Sequence, residues 1–168
     1  MESSRAFASS LISPDFIDED ALVSLYEATN GVDWLRSDNW LTDAPLDAWF
    51  GVTTDSNGRV ITLVLSKNML AGSIPPDLGQ LAELEELRLE ENGLSGSIPS
   101  ELGQLTDLKE LHLSDNGLSG SIPSELGRLT NLKGLYLQDN EFSGTIPSEL
   151  GQLTDLKELH LSDNELSG

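Results

Sequence analysis

The sequence predicts an α/β solenoid, a stack of short coils whose strands pair in parallel into one concave sheet, with a helical cap over its N-terminal side. Three observations carry this prediction. A block of 24 residues recurs from Val60, Leu84, Leu108, Leu132 and Leu156 without an insertion, the last copy incomplete, and a fixed period of this length marks a repeat architecture. Inside each block the spacing L-x-x-L-x-L alternates apolar and polar side chains as a half-buried strand does. Before Val60 the period is absent, and all 3 tryptophans of the chain (Trp34, Trp40, Trp49) lie there.

Residues 1–59 read as the capping region. Asp18 or Asp20 suits the N-cap of a helix over about 19–29, in which Ala21, Leu22, Leu25, Tyr26 and Ala28 share a face, and Asn30-Gly31 supplies a left-handed stop. The three tryptophans shield the apolar end of the first coil. Asp55 to Gly58 reads as a turn that leads straight into the first repeat strand.

Residues 60–168 hold the repeats. In the second copy Leu84, Leu87, Leu89, Leu94, Ile98, Leu102 and Leu105 point inward. One coil buries too little apolar surface to offset the entropy of ordering its backbone, so neighbouring coils must share a core. Asn68, Asn92, Asn116, Asn140 and Asn164 fall at one position of the repeat. An inward amide there can bond the backbone of its own turn and of the next coil, which predicts a buried Asn ladder. The following Leu-Ser-Gly-x-Ile-Pro, as in Leu94 to Pro99, combines a glycine that permits a bend with a proline that stops a helix turn.

This pattern resembles the plant-type leucine-rich repeat, and the resemblance covers residues 60–168. It implies a right-handed horseshoe with a short second strand in each coil and a 3-10 turn on the convex side at E-x-L-G-x-L, as in Glu101 to Leu105. The segments ALVSLYEATNGVDWLRSDNW and PLDAWFGVT resemble the N-terminal cap that precedes such repeats in algal proteins. Cap and repeats together are similar to the repeat region of algal ROCO-family receptors, in which repeats precede a Roc-COR GTPase. That likeness implies the ligand-recognition segment of a candidate immune receptor. No GTPase residues occur here, so GTPase activity does not carry over.

Secreted relatives of the cap usually carry a cysteine pair around W-x-G-V, where Asp47 and Thr54 stand here. The chain has 0 cysteines, so the cap rests on packing rather than on a disulfide. Ala6 to Ile12 makes a poor signal peptide, and no N-x-S/T sequon occurs. These features lead to a cytoplasmic expectation. No apolar run approaches membrane-spanning length, which predicts no membrane partner.

With 29 acidic against 9 basic side chains the net charge is −20, which disfavours nucleic acid as a partner. The repeat register places the acids in columns. Thr62, Glu86, Glu110, Gly134 and Glu158 form one; Lys67, Glu91, Asp115, Asp139 and Asp163 form another just past the strand. Like charges on adjacent coils repel and raise one another's pKa, partly offset by Lys109, Lys133 and Lys157. Between the columns runs the most varied one, Val64, Arg88, His112, Tyr136 and His160, which alternates with buried leucines and so faces outward on the concave side.

Arg88, His112, Tyr136 and His160 are therefore the expected anchors for a protein or peptide, with Glu86, Glu110 and Glu158 as charge complements to a basic one. His112-Leu-Ser114-Asp115 and its copy at His160 contain the residue types of a hydrolase trio, but duplication explains the pair. His112 and Ser114 project in parallel about 7 Å apart along a strand, and an open face offers neither oxyanion hole nor exclusion of water. His112 and His160 lie two coils apart, roughly 10 Å, too far to share one zinc directly. No EF-hand, P-loop or dinucleotide fingerprint is present, so neither enzyme activity nor a cofactor is expected. Two other readings are a stand-alone inhibitor resembling plant polygalacturonase-inhibiting proteins and a purely structural spacer. The first is disfavoured by the missing cysteines, the second by the varied column.

Gly168 falls inside a unit, which suggests the front part of a longer protein. Leu156, Leu159, Leu161 and Leu166 of the last coil are then expected to lack a cover, to fray, or to self-associate weakly.

Overall fold

The computed structural model describes residues 14–168; the segment Ala6 to Ile12, whose apolar run bears on secretion, lies outside them. Helix α1 spans Pro14–Ala28, beginning several residues earlier than the N-cap reading of Asp18 or Asp20 allows. Pro14 at the first helical position explains this start, since its ring presets φ and its missing N–H would be unsatisfied there anyway. Asp18 thus sits inside the helix, fully buried. Its carboxylate accepts hydrogen bonds from Arg59 Nε and Nη2, both at 3.0 Å, and from the backbone N–H of Val60 at 2.8 Å. The aspartate clamps the cap to the first coil instead of capping the helix.

Ala21, Leu22 and Leu25 are buried, and Asn30 ends the helix region in a left-handed conformation at φ 57°. The tryptophans form a chain with Tyr26: ring centroids are 5.1 Å apart for Tyr26 and Trp34, 4.8 Å for Trp34 and Trp40, and 5.1 Å for Trp40 and Trp49. Each indole N–H also finds a carbonyl, on Thr29, Phe50 and Ala44 respectively. Apolar bodies and satisfied polar tips let three large rings close the core.

Strand β1 (Val52–Thr54) pairs antiparallel with β2 (Val60–Val64). The turn at Asp55 to Gly58 is therefore the tip of a hairpin, and β1 covers the sheet's first edge. Asp55 holds this turn by accepting from the backbone of Asn57 and Arg59.

Each coil then supplies two strands. β2 and β3 (Ala71–Gly72) belong to the first, β4 (Glu86–Arg88) and β5 (Gly93–Gly96) to the second, β6 (Glu110–His112) and β7 (Gly117–Gly120) to the third. The fourth carries β8 (Gly134–Tyr136) and β9 (Glu141–Thr145), and the fifth β10 (Glu158–His160) and β11 (Glu165–Ser167). The concave sheet runs β1-β2-β4-β6-β8-β10 and the second sheet β11-β9-β7-β5-β3. Beyond the hairpin every pairing is parallel. The segments Pro76–Gln80, Ser100–Gln104, Ser124–Arg128 and Ser148–Gln152 are 3-10 turns. Glycine is required in the first three because the coils touch: a Cβ at Gly103 would sit 2.5 Å from the carbonyl oxygen of Glu125, whereas Gly151 in the last has nothing within 4 Å.

The core is a continuous column of leucines, with Leu87, Leu111 and Leu135 among the fully buried. Between coils the asparagines bridge backbones. Asn140 Oδ1 accepts from the N–H of Leu118 at 3.0 Å while its Nδ2 donates to Leu113 O at 2.9 Å and Leu137 O at 3.2 Å. Asn92, Asn116 and Asn164 repeat this pattern, and Asn68 bonds Arg36 of the cap.

In the last coil Leu159 is 45% exposed, and Leu156, Leu161 and Leu166 are only partly buried. Lys67, Glu91, Asp115, Asp139 and Asp163 all adopt φ between 54° and 56°. Aspartate tolerates this left-handed region better than most residues, so the Asp column has a conformational cause apart from its charge.

Candidate binding face

The concave sheet sets the candidate residues side by side. Glu86 pairs with Glu110 and Arg88 with His112; Glu110 pairs with Gly134 and His112 with Tyr136; Gly134 pairs with Glu158 and Tyr136 with His160. All seven residues expected to meet a partner thus lie on β4, β6, β8 and β10 and project from one face.

Their side chains organise into a stack. The His112 imidazole lies over the Tyr136 ring at 4.1 Å and 17°, and His160 lies on the other face of that ring at 5.0 Å and 23°. Tyr136 Oη donates to Glu158 Oε2 at 2.8 Å. Arg88, in register with His112, donates from Nε to Glu86 Oε1 on its own strand. Gly134 is what leaves room for this arrangement: a Cβ there would collide with Glu110 Oε2 and lie 2.7 Å from Tyr136 Cε2. The gap in the glutamate column and the bulk in the next column are therefore one adaptation.

The stack shapes the protonation states. Burial, and then the Arg88 charge, hold the His112 imidazole below its ordinary value, against the opposing pull of Glu90 and Glu110. At neutral pH it is uncharged, although its Nε2 is 3.4 Å from Glu110 Oε2. Burial and the hydrogen bond to Glu158 push the Tyr136 phenol up to about 12. Lateral pairing offsets part of the repulsion expected within the acidic columns. Arg88 engages Glu86, Lys67 Nζ is 2.9 Å from Glu91 Oε1, and Lys109 Nζ is 2.6 Å from Glu85 Oε2. Asp139 is raised, by desolvation and by the charges of Asp115 and Asp163.

The two histidines of the stack are separated by the phenol, so they share no ligand directly. Among the described residues no group of three or more His, Asp or Glu is placed to hold a metal ion.

A second outward column, Ser66, Glu90, Ser114, Gln138 and Ser162, was missed by reasoning from the most varied positions. It follows from continuing the alternation by one more outward position beyond Arg88 or His112. Backbone bonds reach it from the neighbouring acidic column: Glu91 N–H donates to Ser114 O and Asp115 N–H to Gln138 O, both at 3.1 Å. Ser114 is buried at 5% exposure. Glu90 Oε2, His112 Nε2 and Gln138 Oε1 are buried without a hydrogen-bond partner, and they are the buried side-chain polar atoms in that condition among the described residues. All three belong to this face.

A parallel sheet left open on one side, with ordered charged and aromatic columns and no enclosing walls, is the surface of a repeat-built binding scaffold. Family profiles described as leucine rich repeat match residues 59–81, 83–105 and 106–166. The chain belongs to the leucine-rich repeat family. It is similar to the BIR2 ectodomain from Arabidopsis thaliana, at 35% identity and TM-score 0.83, covering 90% of this chain and 82% of that one. It is also similar to a plant ice-binding protein at 37% identity and TM-score 0.82, over 90% of this chain and 49% of the other. In sequence it is 36% identical over 85 residues to a probable LRR receptor-like serine/threonine-protein kinase of Arabidopsis thaliana, covering 48% of this chain. The match spans 11% of that kinase's length.

Proposed function

We propose that the concave face recognises a basic peptide or a basic segment of a protein, with Arg88, His112, Tyr136 and His160 as anchors and Glu86, Glu110 and Glu158 as charge complements. The observation that carries this reading is the preformed His112–Tyr136–His160 stack bordered by those carboxylates. Aromatic side chains already held in place lose little freedom on binding, and flanking acids steer a cationic partner. Support also comes from a neighbour described as the plant peptide hormone receptor RGFR1 in complex with RGF2, 41% identical with TM-score 0.60 over 62% of this chain and 17% of that one. The test measures affinity for basic peptides in Tyr136→Ala and, on the convex side, Glu125→Ala. Loss with Tyr136→Ala alone is the expected outcome; loss with Glu125→Ala alone would place binding on the other face.

In this reading the module is the ligand-sensing segment of a larger intracellular immune-type receptor, of ROCO-like organisation. The cysteine-free cap supports the intracellular setting. Exposed Leu159 and the partly buried Leu156, Leu161 and Leu166 of the last coil are the proposed route for weak self-association.

A second reading rests on residues at or just past the ends of the second sheet's strands. Ser73, Ser97, Ser121 and Thr145 are exposed on successive coils, so hydroxyls repeat at roughly the 4.8 Å strand spacing. This ladder, with the likeness to a plant ice-binding protein, supports binding to ice. Inhibition of ice recrystallisation that is lost in Ser121→Tyr is the expected result; no inhibition by the wild type removes this reading.

A further inference from the structure

Four Asn-Gly pairs occur in the chain, at 30–31, 57–58, 92–93 and 116–117. Asparagine is a labile residue, and a following glycine exposes it most, because a residue without a side chain lets its backbone nitrogen approach the amide carbon before it. Sequence alone leaves all four pairs open to this reaction, and the fold separates them. Asn92 and Asn116 belong to the ladder. Asn92 Oδ1 accepts from the N–H of Asn68 at 2.9 Å and of Leu70 at 3.0 Å, and its Nδ2 donates to Leu65 O and Leu89 O, both at 2.9 Å. Gly93 N–H donates to Leu70 O at 2.8 Å. Asn116 is held in the same way by Leu94, Leu89 and Leu113, so reaction at either pair requires two coils to part. Asn30 donates to Asp33 Oδ2 at 2.6 Å, and Gly31 is buried against Tyr26, where a Cβ would sit 2.2 Å from Cδ2. Asn57 differs: it is exposed at the tip of the β1–β2 hairpin. Its side chain makes a long hydrogen bond of 3.3 Å to Asp55 Oδ2, and Gly58 N–H donates to Asp55 O at 3.1 Å.

We infer that Asn57 is a site of spontaneous deamidation, gated by opening of the Asp55 turn. The Gly58 nitrogen bonds to Asn57 Cγ and closes a succinimide ring. The Cγ–Nδ2 bond breaks, and Nδ2 leaves as ammonia with the proton that the Gly58 nitrogen gives up. Water then opens the ring at one of its two carbonyls. Cleavage between the nitrogen and Cγ gives aspartate; cleavage between the nitrogen and the main-chain carbonyl gives isoaspartate, whose main chain is one carbon longer. Water is the only co-reactant. The Gly58 nitrogen has to leave Asp55 O before it can attack, which makes the turn the gate. The product bears on the cap through Arg59, whose carbonyl accepts from Asp55 N–H at 2.8 Å and whose N–H donates to Asp55 Oδ1 at 2.9 Å. Its guanidinium holds Asp18. A longer main chain at position 57 shifts Arg59 against Asp55 and loosens that clamp.

The test incubates the whole chain in mildly alkaline buffer, native and in urea, and follows each Asn-Gly pair by peptide mapping with mass spectrometry. In the native chain Asn57 should convert at least about tenfold faster than Asn92 or Asn116, since an exposed turn opens far more readily than a packed ladder. In urea that difference should vanish. Asp55→Ala, which removes the carboxylate bonds to Asn57 and Arg59, should speed conversion of Asn57 at least about threefold. The isoaspartate form, separated by chromatography, should melt at a lower temperature than the unmodified chain, and Asn57→Gln should not develop it at the turn. If Asn57 stays intact in the native chain while it converts in urea, or converts no faster than the ladder pairs, the site is wrong. An equal rate in Asp55→Ala would overturn the gate, and an unchanged melt of the isoaspartate form would overturn the effect on the clamp.

Discussion

Tyr136 on β8 and Glu158 on β10 are joined by a hydrogen bond of 2.8 Å from phenol to carboxylate, which ties one coil to the next across the exposed face. The bond adds to burial in pushing the phenol up to about 12. In an absorbance titration one tyrosine should therefore ionise late. Glu158→Gln should bring that transition down without returning it to the ordinary 10.0, because burial is the larger cause. An unchanged titration in Glu158→Gln would show that the bond is not made in solution.

His112 makes stability and binding depend on pH near neutrality. Its folded pKa lies below the ordinary 6.5, so the unfolded chain takes up the proton first. Its contribution is fully present above the unfolded value and is lost as pH falls through the folded one. The groups facing it are Arg88 and Glu90 from β4 and its edge, Glu110 on its own strand, and Tyr136 on β8. From about pH 7.5 to about pH 5.5 the wild type should lose more melting temperature than His112→Gln, and affinity for a cationic partner should fall as the imidazole charges. Asp139 acts in the opposite sense: its raised pKa means that its penalty is relieved as pH falls through the folded value. Parallel melting curves for wild type and His112→Gln across this range would contradict the assignment.

The clamp between cap and repeats should be the most sensitive ionic contact in the chain. Asp18 is fully buried with three hydrogen bonds, and Arg59 is 18% exposed. Asp18→Ala removes one partner of a buried pair and should cost about 3–5 kcal/mol in urea unfolding. Asp38→Ala, which breaks the exposed pair with Arg36, should cost no more than about 1 kcal/mol. Equal losses would mean that water reaches the Asp18 site.

The stack of coils should be least protected at its last member. Leu159 is 45% exposed where Leu87, Leu111 and Leu135 are fully buried. Amide exchange of dilute monomer should be faster at 156–168 than at 84–107, since local opening follows the apolar surface a segment buries. Equal protection would show that the last coil is as firmly held as the interior ones.

Much of this protein is determined by the sequence alone, because a 24-residue period leaves few degrees of freedom. Once parallel strands stack in register, Leu87 must align with Leu111, Asn92 with Asn116, and Arg88 with His112. What each side chain does within its column was decided by the tertiary structure. Asp18, a good N-cap by local chemistry, became a buried clamp because Arg59 and the Val60 N–H approach it from 41 and 42 residues away. Glu90 and Gln138 continue the outward alternation one position beyond Arg88 and Tyr136. One oxygen of each, Glu90 Oε2 and Gln138 Oε1, is buried without a partner once the coils pack. Tyr136 lies flat between two imidazoles because Gly134 leaves the space beside it. Periodicity fixes which residues are neighbours, whereas the lean of a long side chain depends on the volume and charge its neighbours leave free. That balance exists only once the coils are packed.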